Sequence, residues 1–443
     1  MIYNGQQINM MVKPHKRNVI EDFQMSHTTT KGNVYNVDSY WSYSYLPGQL
    51  LTIAGMTERL NLGFFSTQND FRYNLKVGRQ YLNNELGFNY DRQSIGVIMR
   101  EETERTNVYG FLRMYWTPSM SFLLGKHKVG IKSMISYANQ SYRDSKSYHL
   151  WIDPLINWNC KVTVVSEFSA SIGYKNTPLM GKGIYDTPVF TSYRTQRINR
   201  GETDATYSYY VTAAYNYSNP VLGLFLNVRP TYNCTSGNIL YESTLNDNVY
   251  TMTATNKDYS MQTVGVTGRI SKTFGWAKTL IGLGASHNRT DYSLLVSSMV
   301  NDARMSVTTA TLDYSLRPAR ALSVEGKSNV HFYNQKNRTN PGLSSGNTTD
   351  WKHYLNLHVF PANRWMISIK NELFHTNDKS VGTNYFLDFA ISYKVKQWEL
   401  SLTANNLIGT SEFERRTLGN TIESYSVTRL RPREFLVKWS VDL

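Results

Sequence analysis

The last ten residues of the chain, Glu434-Phe-Leu-Val-Lys-Trp-Ser-Val-Asp-Leu443, alternate between apolar and polar side chains, with Leu436 as the one exception. Successive side chains of a β-strand point to opposite faces of its sheet, so this period of two predicts a strand with one apolar and one polar face. The apolar side chains of this predicted closing strand are Phe435, Val437, Trp439, Val441 and Leu443. The rest of the sequence decides whether such strands are numerous enough to form a closed sheet in lipid.

Composition narrows the class of protein. The 443 residues include 32 Tyr and have 13% aromatic side chains, and no Pro/Gly/Ser-rich linker divides the chain. No apolar run approaches the roughly 20 residues of a membrane-spanning helix, which excludes a helical membrane protein. A transmembrane barrel stays compatible with a negative mean hydropathy of -0.44, because half of each strand faces water. A large soluble β-protein has a similar composition, so composition alone does not choose between the two.

Charge and chemistry-bearing residues argue against several functions. The net charge of +14 is scattered rather than clustered, so we predict no nucleic-acid binding. Cys160 and Cys234 have no metal-ligand spacing, and a disulfide between them is not expected. His353 and His358 are five residues apart and would face opposite sides of one strand, so they do not share a metal. No catalytic or phosphate-binding motif occurs; we therefore predict no enzyme activity, no metal and no cofactor.

The alternating segments occur in pairs, with a regular order of connections. Short turns are predicted near residues 159, 219, 276, 319, 362 and 396. Longer polar connections are predicted between them, at about 177–203, 235–257, 289–302, 337–350, 377–382 and 410–427. Tight turns at one end and long loops at the other are typical of outer-membrane barrels, whereas a soluble sandwich has no reason to sort its loops in this way.

The same pattern continues toward the N-terminus. Turns near 47–56, 82 and 118–126 and loops near 29–33, 67–69, 100–104 and 142–147 bring the total to about 20 strands. We therefore predict an all-β fold, a transmembrane antiparallel up-and-down β-barrel. Residues 1–17 form a lead-in segment and residues 18–443 form the barrel domain in this prediction. The first ten residues show no features of a signal peptide, so we expect that a signal has been removed or that a longer protein precedes the chain.

Tryptophan positions provide an independent test of the predicted barrel. Membrane barrels collect aromatic residues in girdles at the two interfaces between lipid and water. Five of the nine Trp fall in, or within about three residues of, a predicted short turn, and we predict them to be membrane-interface residues. They are Trp116, Trp158, Trp276, Trp365 and Trp398. The alternative is that they fill the ends of a soluble β-core.

The C-terminal segment resembles a known family. Asn405-Asn406-Leu407, which closes the penultimate predicted strand, and Arg431-Pro432-Arg433, which opens the last one, are similar to the end of TonB-dependent outer-membrane receptors of the Bacteroidota branch. The motifs cover about the last 60 residues. The resemblance implies a bacterial outer-membrane location and active uptake of a nutrient whose identity the sequence does not reveal.

The chain also departs from that family. The family has an N-terminal plug and a TonB-contacting segment ahead of a barrel of about 22 strands, and neither part has room before the first predicted strand. We therefore expect an incomplete barrel in contact with outer-membrane lipid, which is nonfunctional alone, passes solute passively, or works with a separate plug-bearing chain or a surface lipoprotein. Leu443 also replaces the usual terminal Phe. The alternative is a soluble or surface-attached β-rich protein that binds glycans through Tyr and Trp. A third interpretation is an enzyme or adhesin built on a barrel.

Overall fold

The chain forms long β-strands throughout the part that the structure describes. This computed structural model describes residues 25–31, 35–53, 56–77, 80–99, 105–142, 145–178, 185–192, 195–199, 205–246, 249–296, 298–344, 346–418, 423–431 and 433–441. Leu443 and the predicted lead-in segment lie outside the described residues. Within them, no helix has the length and apolar character needed to cross a membrane.

The strands are β1 (Met25–Lys31), β2 (Tyr35–Ile53), β3 (Met56–Val77), β4 (Gln80–Met99), β5 (Arg105–Leu124), β6 (His127–Tyr142), β7 (Ser145–Lys161), β8 (Ser166–Pro178), β9 (Tyr185–Ser192), β10 (Thr195–Asn199), β11 (Ala205–Asn219) and β12 (Leu224–Asn246). They continue with β13 (Val249–Phe274), β14 (Thr279–Val296), β15 (Met299–Ala319), β16 (Leu322–Asn337), β17 (Gly346–Val359), β18 (Trp365–Thr376), β19 (Asn384–Val395), β20 (Trp398–Asn405), β21 (Glu412–Leu418), β22 (Glu423–Arg429) and β23 (Glu434–Val441). Two short 3-10 turns cover Trp276–Lys278 and Pro341–Leu343.

A single 21-stranded sheet contains all of these strands except β21 and β22. Each strand pairs antiparallel with its neighbour in sequence, except that β8 pairs with β11 and β20 pairs with β23. The hairpins β9–β10 and β21–β22 occupy those two long connections, and β10 joins the sheet through a short parallel pairing with β13. The predicted all-β, antiparallel, up-and-down order is confirmed. Among the described residues, β23 pairs only with β20 and β1 only with β2, so closure of the sheet stays a prediction.

The two faces of the sheet differ in chemistry. On one, here called the apolar face, large side chains are exposed: Leu283 and Leu312 pair across β14 and β15 and are 53% and 36% exposed. On the other, the polar face, Asn107, Ser136 and Gln140 are the largest side chains that are fully buried. A water-soluble protein buries apolar side chains and exposes polar ones. Here large apolar side chains are exposed on one face, and the other face buries polar side chains together with an aromatic cluster of Tyr109, Phe111, Tyr142 and Trp151.

A cluster on the polar face of β5, β6 and β7 shows how the buried polar groups are satisfied. The Arg113 guanidinium forms an ion pair with Asp153 at 2.9 Å and donates to Ser136 Oγ at 3.0 Å. It also lies over the ring of Trp151, 5.3 Å from the centroid. Both charged side chains are only 11–12% exposed, so their attraction is poorly screened by water. The cluster ties together three consecutive strands.

Several predicted loops are strands. The segments 235–257 and 289–302 were expected to be loops, but β12 and β13 pair from Leu224–Lys272 to Asn246–Val249, and β14 and β15 pair up to Val296–Met299. The loop predicted at 67–69 is also wrong, because β3 runs through it. There Asn69 donates to Thr67 and Gln68 donates to Asp70, so side chains of a segment without alternation satisfy one another within the strand.

Upstream turn positions also need correction. β2 continues to Ile53, β3 begins at Met56 and β5 continues to Leu124, so most of the residues predicted as turns at 47–56 and 118–126 belong to strands. Counting the alternating directions of the strands places the end of β2 and the start of β3 at the end of the sheet that carries the long loops. The pairing of β2 with β3 continues through the predicted turn with a register shift between Leu46 and Gln49.

Asp153→Asn is predicted to destabilise the fold. The substitution keeps the volume of the side chain but leaves the charge of Arg113 buried without a counter-charge, a change that costs about 3 kcal/mol in other proteins. The measurement is equilibrium unfolding in urea. The control is Arg269→Gln, which breaks the 2.8 Å ion pair with Asp313 at a site where Arg269 is 54% exposed. We expect a loss below about 1 kcal/mol there, and equal losses in the two variants would contradict the interpretation.

Candidate functional site

The sheet has two unlike ends. One, the short-turn end, carries the tight turns 125–126, 162–165, 220–223, 275–278, 320–321, 360–364 and 396–397. The opposite one, the loop end, carries the hairpins β9–β10 and β21–β22 and the segments 338–345 and 377–383. This sorting agrees with the predicted long connections at 177–203, 337–350, 377–382 and 410–427, whereas those predicted at 235–257 and 289–302 are mostly strand.

Four of the predicted interface tryptophans lie beside tight turns at the short-turn end. Trp158 is near the end of β7, Trp276 is within the turn 275–278, and Trp365 and Trp398 begin their strands. All four are exposed, from 38% for Trp158 to 75% for Trp276. Trp398 stacks on Trp439 with ring centroids 4.9 Å apart. These residues form an aromatic row at this end of the sheet.

Trp116 lies elsewhere. It is on the apolar face of β5, paired with Leu86 on one side and Ile135 on the other, well before the strand ends at Leu124. Its indole N–H donates to Asn84 Oδ1 at 3.1 Å. The turn expected at 118 does not form, because Pro118 continues the strand opposite Asn84.

A second aromatic row runs along the loop end of the apolar face. It consists of tyrosines, and Tyr174 and Tyr209 have ring centroids 4.8 Å apart. On β19, Tyr385 and Tyr393 bound a stripe of aliphatic and Phe side chains. Their eight-residue separation is about 27 Å along the strand, which a strand tilt of about 40° reduces to roughly 20 Å between the two rows.

The predicted closing strand is present as β23. Phe435, Val437, Trp439 and Val441 pair with Ala404, Leu402, Leu400 and Trp398 of β20. Their exposed fractions range from 40% to 73%, so they lie on the apolar face. Leu436 is also exposed, at 47%, although it belongs to the opposite face.

The Asn-Asn-Leu and Arg-Pro-Arg segments contact each other. Asn406 donates from Nδ2 to the carbonyl of Arg431 at 3.1 Å, and its own backbone lies in the left-handed region at φ 51°. Arg433 Nε donates to the carbonyl of Leu407 at 3.1 Å, and Asn405 donates to Glu434 at 3.2 Å. The two segments therefore fasten the loop end of the β20–β23 pair. Their contacts give them a structural role.

A cavity of about 280 Å³ lies on the polar face at the loop end. Its walls come from the loop ends of β15, β16, β17 and β18, the start of β19, and the hairpin strand β21. Polar-face side chains reach it in register, since Tyr333 pairs with Thr348, and Lys352 with Phe374, which also pairs with Asn384. Segments that are distant in sequence thus meet at one site.

Three phenylalanines hold β21 against the sheet. Phe413 of β21 has its ring centroid 5.5 Å from Phe374 and 6.3 Å from Phe386. Phe374 and Phe386 are themselves 6.1 Å apart in an edge-on arrangement, which is a favourable geometry for aromatic pairs. The cluster forms an apolar floor for the cavity.

Glu414 fastens the hairpin from the other side of the strand. Its Oε2 accepts a hydrogen bond from the backbone N–H of Gly382 at 2.8 Å, and its carbonyl accepts from Asn384 Nδ2 at 3.4 Å. Because a main-chain donor and a side-chain donor both point to Glu414, the hairpin has a defined position over the sheet.

Charged groups remain available in the cavity. Asp350 and Lys352 on β17 and Arg415 on β21 line it, and none of them has a hydrogen bond or ion pair to another side chain in the described part of the chain. This site is not predicted from the sequence. The available signal was the presence of Phe374 and Phe386 at polar-face positions, where the neighbouring strand positions are hydrophilic.

Comparisons with known proteins give structural neighbours only. No protein-family model matches the chain, and no curated protein matches it either. The ferric-catecholate import receptor Fiu of E. coli K12 is similar over 96% of this chain and 80% of its own, with 10% identity and a TM-score of 0.40. The outer membrane transporter YddB of Escherichia coli is similar over 96% of this chain and 69% of its own, with 8% identity and a TM-score of 0.45. FpvA of P. aeruginosa, bound to a pyoverdine–iron complex, is similar over 100% of this chain and 60% of its own, with 10% identity and a TM-score of 0.47.

Phe413→Ala is predicted to loosen the β21–β22 hairpin. Removing a half-buried ring from the Phe cluster costs less than the 3–5 kcal/mol of a core Phe, and we expect about 1.5 kcal/mol. That corresponds to roughly tenfold faster amide exchange in β21 and β22, measured by hydrogen–deuterium exchange with mass spectrometry. Val427→Ala on the same hairpin is the control, because Val427 is 44% exposed. Equal exchange in the two variants would show that the Phe cluster does not hold the hairpin.

Proposed function

We propose that this protein is a β-barrel of the bacterial outer membrane that takes part in the uptake of a small solute. The observation that carries the proposal is the inverted burial of the sheet, with large apolar side chains exposed on one face and polar side chains buried on the other. A membrane barrel has this arrangement, because its outer surface contacts lipid and its interior is polar.

The two aromatic rows support the placement in a bilayer. Their separation of roughly 20 Å is close to the apolar band of about 25 Å that outer-membrane barrels present between their aromatic girdles. If the protein were a soluble glycan-binding protein, the separation of the two aromatic rows would have no such explanation. A soluble monomer rarely exposes contiguous apolar surface beyond a few hundred Å², whereas here exposed apolar side chains occur on strand after strand, from Leu86 on β4 to Val441 on β23.

The length of the strands supports capture of a solute at the loop end. About 9–11 residues are enough for one strand to cross the membrane, but β12 has 23 residues and β13 has 26. The excess projects beyond the loop-end aromatic row. Such projections, together with the cavity beneath β21, provide a polar-face site for a solute before it enters the barrel.

The mode of transport is proposed from the resemblance at the C-terminus. TonB-dependent receptors close their barrel with a plug and draw energy from the inner membrane. We propose the same type of uptake here, in which the barrel acts together with a plug-bearing chain or a surface lipoprotein. Ion conductance of the folded protein in lipid vesicles tests this part: an open conductance is expected without a plug, and its absence would argue against an open barrel.

Leu283→Arg tests the membrane placement. Leu283 is 53% exposed on the apolar face, about a quarter of the way along β14 from its short-turn end. In a bilayer the substitution places a charge near the midplane and costs about 2–4 kcal/mol, whereas on a water-exposed sheet it changes stability by less than about 0.5 kcal/mol. The measurement is urea unfolding from lipid vesicles, together with heat-modifiable gel mobility.

Ser286→Arg is the matched control for Leu283→Arg. It lies three positions further along the same strand on the opposite, polar face, where it pairs with Thr267 and Thr309. We expect a much smaller loss there, since a polar barrel interior accommodates charge. Equal effects at both positions, or a protein that stays folded and soluble without detergent, would contradict the barrel.

A further inference from the structure

We propose that the cavity between β17 and β21 binds a small zwitterion with an apolar body. An amino acid with a large apolar side chain is a molecule of this kind. The inference rests on the proposed function, since it names the class of solute that the uptake site receives. It is carried by the size of the cavity, its Phe floor and its three uncommitted charges.

Size restricts the ligand. The cavity of about 280 Å³ is at the lower limit of the roughly 300–1,000 Å³ of most ligand pockets. A small molecule therefore fits, and a large chelate or an oligosaccharide does not fit as a whole. The floor of Phe374 and Phe413 offers apolar contact to the body of such a molecule, because burial of apolar surface there removes it from water.

The acidic side chains that line the cavity differ in whether they already accept hydrogen bonds from the protein. Glu414 accepts the hydrogen bond from Gly382, and Asp378 accepts from the backbone N–H and hydroxyl of Ser380 at 2.9 and 2.7 Å. Asp350 has no such hydrogen bond in the described part of the chain. It is therefore the carboxylate that is available to receive the ammonium group of a ligand.

The two basic side chains of the cavity, Lys352 and Arg415, are also available to a ligand. Neither Lys352 nor Arg415 forms an ion pair within the described residues, although both line the cavity. Arg415 is on the hairpin strand β21, whereas Lys352 is on the sheet strand β17 beside Asp350. A guanidinium binds a carboxylate through two parallel hydrogen bonds. Arg415 is the expected partner of the carboxylate of the ligand, with Lys352 as a second positive charge.

The opposite charges are close to a common side chain. Burial raises the pKa of the Tyr333 phenol above its ordinary value, Asp350 raises it further, and Arg415 lowers it. Both charges therefore act on one hydroxyl group at the wall of the cavity. Asp350 and Arg415 also both line the cavity without forming an ion pair with each other, so a positive and a negative group border the same small space.

This separation favours a zwitterion over singly charged ligands. An anion would meet Arg415 but would leave Asp350 beside it as a like charge, and a cation would leave Arg415 without a partner. A neutral apolar molecule would desolvate all three charged groups without compensation. A ligand with both charges gives Asp350 and Arg415 each a partner of opposite charge.

Three probes with the same aromatic body separate these cases: L-phenylalanine, 3-phenylpropanoate, which lacks the ammonium group, and 2-phenylethylamine, which lacks the carboxylate. Binding is measured on the folded full chain in detergent by saturation-transfer NMR and calorimetry. We expect L-phenylalanine to bind at least about tenfold more tightly than either analogue, since a hydrogen bond to a charged group contributes at least that much.

Two variants assign the charges. Asp350→Asn is expected to abolish the preference for L-phenylalanine over 3-phenylpropanoate, and Arg415→Gln to abolish its preference over 2-phenylethylamine. Lys379→Gln, an exposed charge on the 377–383 segment that does not line the cavity, is the control and keeps both preferences. Because preferences are ratios within one variant, a partly unfolded sample lowers all three signals without altering them.

Equal binding of the three probes, binding of none of them to the folded protein, or preferences that persist in Asp350→Asn and Arg415→Gln would overturn the inference. Binding of a disaccharide such as maltose in place of L-phenylalanine would also overturn it and would assign the site to carbohydrate. The proposed function has a separate readout, since Leu283→Arg reports on the bilayer. Failure of the zwitterion site with a normal Leu283→Arg result leaves the barrel in place, whereas detergent-independent solubility removes the barrel whatever the probes do.

Discussion

Main-chain hydrogen bonds between neighbouring strands are the interaction on which the rest of the structure depends. In the membrane that we propose there is no water to satisfy a free amide or carbonyl, so each strand must be satisfied by its neighbours. The register that these bonds fix also decides the chemistry of both faces. A slip of one residue on β14 would turn Leu283 away from Leu312 and toward the polar face. All the remaining side chains of the strand would change face as well.

The polar face shows how that constraint is met where the ladder is interrupted. Pro154 has no N–H to donate, and the pairing of β7 with β8 begins only at Leu155. Beyond this point the carboxylate of Asp153 takes the place of a strand carbonyl: its Oδ1 accepts the backbone N–H of Asn176 at 2.9 Å. The other oxygen of the same carboxylate binds Arg113. The buried ion pair is therefore part of the main-chain bonding scheme, which explains why the loss of Asp153 should affect more than one contact.

The sequence predicted those features that follow from period-two alternation and from turn residues. It identified β23, the tight turns from 219 onward and the order of short and long connections. The prediction of loops at 235–257 and 289–302 was wrong, because these Tyr-, Thr- and Asn-rich segments form paired strands although their sequences have no apolar stripe that would indicate a strand. The Asn405-Asn406-Leu407 segment was informative as a family resemblance, but its contact with Arg431 depends on a hairpin that folds back over the sheet. The cavity was missed for the same reason: Tyr333, Phe374 and Phe413 come from three distant segments.

The position of β21 links the cavity to the fold. Phe413 and Glu414 hold the hairpin to the sheet, and the next residue, Arg415, provides one wall of the cavity. A ligand that contacts Arg415 on the hairpin and Asp350 on β17 therefore bridges two elements that only a few contacts otherwise join. Such a ligand must bind the docked hairpin more tightly than the released one, and by linkage it stabilises the docked state to the same extent. Capture of solute and closure of the loop end are then one equilibrium, and a variant that loosens the hairpin weakens the site without touching its charges.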